Sequence, residues 1–200
     1  MRKLSRFGTT SITSAAILAL GLILPVFAAA QTETIDATAR GTSTQMGAIG
    51  NVKLVINDFS TPEDKQTLVD AFKKGQSQGL YDALSKMKPV GQIQTPGTVG
   101  YGVAYVSQEK TATGRIIRFV TNRKIAFGEA YANTQSRAYD LTAGKIEIND
   151  TDAKKSSGTL LPATQLIINK EGQLQWEARK NPWQLTNIID WNKGKEKSEK

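Results

Sequence analysis

Hydrophobic and polar positions change period several times along this chain, and each change marks an element. An apolar run from Ala15 to Phe27 comes first, behind Arg2, Lys3 and Arg6 and ahead of Ala28, Ala29 and Ala30. That order of positive start, apolar centre and small residues is the pattern of a secretory leader, with cleavage expected near Gln31. The run is about 13 residues long and Pro25 interrupts its end, which is short of the ~20 residues a helix needs to cross a bilayer. Residues 31–47 are polar and read either as a flexible mature N-terminus or as a first edge strand at Thr34–Ala39. In Asn51–Asn57 the residues Val52, Leu54 and Ile56 alternate with a more polar set, which predicts a half-buried strand.

The spacing then becomes helical. Ser60-Thr61-Pro62-Glu63-Asp64 combines a hydroxyl cap, a proline suited to the first turn and two acids at the positive end of a helix dipole. Leu68, Val69 and Phe72 follow at helical spacing, and Gly75 after Lys73 and Lys74 reads as a stop. A second helix is predicted over Gln78–Lys88, with Leu80, Ala83, Leu84 and Met87 on one face and Pro89 closing it. Together these make a helical hairpin over about residues 61–88.

After Pro89 the alternation returns. Strands are predicted at Val90–Gln94, Val99–Val106, Arg115–Val120, Lys124–Ala130, Arg137–Leu141, Lys145–Asn149, Leu160–Asn169, Gln173–Arg179 and Trp183–Trp191. Thr95-Pro96-Gly97, Thr121-Asn122-Arg123, Gly144 and Asn169-Lys170-Glu171-Gly172 supply turns, and Asp150–Gly158 a loop. In Val99–Val106, Tyr101 and Tyr105 are expected on one face with Val99 and Val103, opposite Gly100, Gly102 and Ala104. The fold class that follows is α+β, mainly β: a curved antiparallel sheet or barrel with the helical hairpin packed on it. The organisation is a leader at 1–30, one β-rich domain at 31–192, and a Lys/Glu tail at 193–200 expected to be disordered.

Charge changes this picture little. The formal net charge is +8, but the leader carries three basic residues and no acid, and the tail is itself basic. A modest surplus of surface lysine remains, so no nucleic-acid partner is expected. No later stretch is long and apolar enough to span a membrane, so none is expected once the leader is removed.

The missing residue types narrow the chemistry. There is no His and no Cys, which removes an imidazole base, a thiol nucleophile and the ordinary zinc ligands. No phosphate-binding glycine loop, dinucleotide fingerprint or calcium loop is present, and no cofactor is expected. Carboxylate chemistry survives, with Asp58, Glu129, Asp140, Glu147 and Glu177 as candidates. Glu129 stands out because alternation places it with Ile125 and Phe127, where a carboxylate needs a partner such as Arg118 or Arg123. A structural ion pair with arginine is the plainer reading of Glu129, and turn formation that of Asp58. The aromatic residues Tyr101, Tyr105, Trp176, Trp183 and Trp191 read either as a binding platform or as core packing.

The segments Val55-Ile56-Asn57-Asp58-Phe59-Ser60-Thr61-Pro62-Glu63-Asp64, Asp82-Ala83-Leu84, Pro96-Gly97-Thr98-Val99-Gly100-Tyr101 and Pro182-Trp183-Gln184-Leu185-Thr186-Asn187 resemble uncharacterised exported proteins of soil bacteria, especially Acidobacteria. The resemblance implies a bacterial, exported protein with a β-rich C-terminal half, acting in the periplasm or outside the cell. It supplies no catalytic or ligand residue.

The leading expectation is a non-enzymatic binding module for a small apolar or amphiphilic molecule or a cell-envelope protein, with Tyr101, Tyr105, Glu129 and Trp176 as candidate ligand-binding residues. The alternatives are a carboxylate-dependent hydrolase acting on polysaccharide and a structural module that pairs through a sheet edge.

Overall fold

A computed structural model describes residues 32–121, 141–168, 174–178 and 181–192. Eight antiparallel strands close into a barrel. In chain order they are β1 (Glu33–Arg40), β2 (Ile49–Ile56), β3 (Gly91–Gln94), β4 (Tyr101–Thr111), β5 (Gly114–Thr121), β6 (Leu141–Asn149), β7 (Ser157–Ile168) and, after the outlying β8 (Leu174–Ala178), β9 (Trp183–Asp190). Each strand from β1 to β7 pairs with the next, and β9 completes the ring by lying between β7 and β1. β7 is long enough to pair with β9 near its start and with β8 at its far end. The first polar stretch is therefore no edge strand: β1 is hydrogen-bonded on both sides.

Alternation decides what fills the ring. Ile35, Ala37 and Ala39 from β1, Val52, Leu54 and Ile56 from β2, and Ile117 and Phe119 from β5 meet Ile146, Leu160, Trp183 and Leu185 in one buried cluster. Gly144, expected as a turn, instead lies inside the continuous strand β6. A Cβ at that position would sit 2.2 Å from Cζ of Phe119, so the glycine makes room for the ring.

The helix α1 spans Pro62–Lys86 and begins as its sequence dictates. The Thr61 hydroxyl accepts from the Asp64 N–H at 3.2 Å, and the Asp64 carboxylate accepts from the Thr61 N–H at 2.8 Å. Ser60 fastens this entry to β4, since its hydroxyl accepts from the Val106 N–H at 3.0 Å. The hairpin of two helices expected over 61–88 is not shown; there is one helix with a break at Gly75 and Gln76, where Gln76 takes φ 50°. Beyond the break Gly79 presses on the earlier turns, and a Cβ there would lie 2.3 Å from the Ala71 carbonyl oxygen.

Leu68, Leu80 and Leu84 pack α1 onto the outside of the barrel, against Ala104 and Tyr105 of β4, Val120 of β5, and Leu141 and Ala143 of β6. A bulge in β4 makes this possible. Between Val103 and Tyr105 the register with β5 shifts, so Ala104 and Tyr105 both join the helix-facing cluster while Val103 and Val106 stay in the barrel interior. The strands expected at Lys124–Ala130 and over most of Arg137–Leu141 lie outside the described residues, as do the leader and the tail. Among the described residues no helix is long and apolar enough to cross a membrane.

Candidate functional site

Of the residues singled out by sequence, Tyr101 and Tyr105 are separated, and others lie outside the described residues. Tyr101 is half-buried and packs against the interior cluster. Tyr105, displaced by the bulge, is buried under the helix instead, so the two tyrosines do not share a face. Burial raises the Tyr105 phenol above its usual value, a hydrogen bond with Ser107 opposes this, the Asp64 charge adds to it and Arg118 opposes it. Glu129 and Asp140 lie outside the described residues. Trp176 and Glu177 are placed by their backbone in β8, opposite Leu166 and Gln165. Asp58 accepts from the Phe59 N–H at 2.8 Å, the turn role expected of it. Glu147 is a half-buried partner of Lys145 at 2.5 Å. Trp183 and Trp191 form no common platform: Trp183 is buried in the barrel, whereas Trp191 is 57% exposed on its outside.

Two other groupings emerge. The first lies at the end of the barrel where β1 and β5 begin and β9 ends. Arg115 donates to both carboxylate oxygens of Glu33, through Nη1 at 3.0 Å and through Nη2, and Nη2 also reaches Oδ2 of Asp190 at 2.6 Å. Both acid side chains are buried. Burial works against the Arg115 cation, but hydrogen bonds and charge from Glu33, then Asp190, outweigh it and raise its pKa. With both acids committed to one guanidinium, the cluster clamps three strands across the barrel. Its sequence signal was Glu33, which shares the inward alternation of Ile35 and Ala37.

The second grouping is a groove of about 530 Å3 on the outer wall of β9, β1 and β2, roofed by the β3–β4 turn. That volume is in the ~300–1,000 Å3 range of small-molecule sites. Strand register builds its floor: Asp36 stands between Ile189 and Lys53, and Lys53 is next to Gln94. One level along, Thr38 is paired with Asn51. A bulge in β9 between those two levels carries Asn187 at φ 50°, a conformation asparagine tolerates better than most residues. The roof is a tight turn, with Thr98 donating from N–H and hydroxyl to the Thr95 carbonyl at 3.1 and 2.9 Å. Pro96 and Gly97 occupy its centre, and Gly97 has the φ of 78° that a type II turn requires there.

The groove is charge-balanced, with Asp36 and Lys53 facing each other in register. Among the described residues the side chains of Thr38, Asn51, Lys53 and Asn187 have no hydrogen-bond or ion-pair partner, so their polar groups are open to a ligand. Asp36 accepts from Nε1 of Trp191 at 2.8 Å, which fixes the exposed indole beside the groove. Around the same wall stand the exposed large apolar residues Ile189, Trp191, Ile49 and Val99. The sequence held the turn and the outward polar positions of β2, but their assembly with β9 depends on a pairing of chain ends that no local pattern reveals.

No protein-family model, no curated protein and no solved structure matches this chain.

Proposed function

We propose that the protein is a non-enzymatic, exported binding module whose ligand sits in the groove over β9, β1 and β2. The observation that carries this reading is the contrast between a barrel interior filled by side chains and an outer wall where unpartnered polar groups line a preformed hollow. The leader pattern at residues 1–30 supports export, to the periplasm or beyond. The Arg115 cluster does not favour catalysis, since its carboxylates are buried and tied to one cation.

Site-directed photo-crosslinking in the producing cells tests the proposal. A crosslinking amino acid at Asn51, in the groove, is compared with one at Lys73, exposed on the helix. A ligand or partner captured from position 51 and not from position 73 supports the groove. Capture from position 73 alone, or equally from both, refutes it.

A further inference from the structure

The lining of the groove narrows the chemistry of what it holds, given the reading above that the groove is the binding site. We infer that its ligand is a neutral carbohydrate chain.

Three features point the same way. Asp36 and Lys53 oppose each other in register, so the floor offers no net charge to select an anion or a cation. The groups left open are a hydroxyl, two primary amides and an ammonium, on Thr38, Asn51, Asn187 and Lys53. Amides and hydroxyls both donate and accept, which suits a ligand whose own rim alternates between the two roles. Alongside them stands a flat apolar surface: the Trp191 ring is more than half exposed, yet its N–H is bound to Asp36 at 2.8 Å. An indole held at its edge keeps its face available and loses little freedom on binding.

A sugar ring combines these demands in one molecule, because its hydroxyls lie around the rim and its C–H bonds form an apolar face. A fatty chain would leave the open amides and hydroxyl without partners once water was expelled, a desolvation cost that its own atoms cannot repay. The groove is partly open to solvent and its lining runs across β9, β1 and β2, which fits a chain lying across strands.

The test is a titration of the purified protein with cellohexaose, maltohexaose and chitohexaose, followed by backbone amide shifts and tryptophan fluorescence. Saturable shifts at Thr38, Asn51 and Asn187 with at least one of the sugars support the inference. In that case Trp191→Ala and Asn51→Arg each weaken binding by about tenfold or more. Trp191→Phe, which keeps a ring, retains most of the affinity, and melting temperatures show that the variants are folded.

Silence of the groove amides with all three sugars at millimolar concentration overturns the inference. If those amides respond instead to the material crosslinked at position 51, and that material is protein or lipid, the groove remains the site and the carbohydrate falls. Sugar-induced shifts confined to other surfaces overturn both readings. Groove shifts that grow with protein concentration without sugar, together with a dimer in sedimentation, overturn the carbohydrate in favour of a second copy of the chain.

Discussion

The barrel has two outer walls built from the same kind of strand, and they have opposite fates. On the wall of β4, β5 and β6 the outward residues are Ala104, Tyr105, Val120 and Ala143, and α1 covers them. On the wall of β9, β1 and β2 the outward residues include Asp36, Thr38, Asn51 and Lys53 beside Ile49 and Ile189, and among the described residues no helix covers them. The interior face is apolar behind both walls. Whether a barrel strand is cushioned or left open is thus written in its outward alternate positions, independently of its inward ones. The helix-covered wall serves stability, and the open wall is the one proposed above for binding.

The largest effect is expected where the two walls are joined. Arg115→Ala removes the cation that β5 extends to Glu33 on β1 and Asp190 on β9. Stranding buried carboxylates costs ~3–5 kcal/mol, read as a fall in the urea midpoint at neutral pH.

Next comes the covered wall. Leu84 is fully buried beneath the helix, and Leu84→Ala should cost ~2–5 kcal/mol in the same measurement. A smaller, pH-dependent effect belongs to Tyr105 on that wall. Its folded-state pKa lies above the unfolded one, so the folded protein holds this proton more tightly. The contribution is fully present below pH ~10 and is lost as pH rises past it toward the folded value. Alkaline unfolding curves should therefore be shallower in Tyr105→Phe. The smallest effect belongs to the open wall: Lys53 is exposed, and Lys53→Ala should change stability by no more than ~0.5 kcal/mol. A large loss there would mean that the open wall is structural after all.

Local rules accounted for much of the architecture. Thr61, Pro62 and Asp64 announced the helix start, and Thr95-Pro96-Gly97 the turn that roofs the groove. The alternation of Val52, Leu54 and Ile56 marked the inward face of β2. What escaped depends on partners distant in sequence. Gly144 looks like a turn residue until Phe119 is known to lie over it. Tyr105 follows Tyr101 by four positions, and only the bulge opposite Val120 sends it to the other side of the strand. The groove needs β1 beside β9, and the hydrogen-bonded pair Asp36 and Trp191 beside it comes from opposite ends of the domain. Alternation gives faces, but neighbours are chosen by global pairing.

That pairing sets a timetable for the growing polypeptide. Trp191 is separated from Asp36 by 155 residues, and Asn192 reaches back to the Thr32 carbonyl across a similar span. At ribosomal speeds of ~5–20 residues per second, β1 waits roughly eight to thirty seconds for the partner that seals its second edge. Throughout synthesis the ring is an open ribbon, and it shuts only when its last strand arrives. A chain stopped short of Trp183 would carry two bare seams, on β1 and β7, each a template for sticking to another molecule.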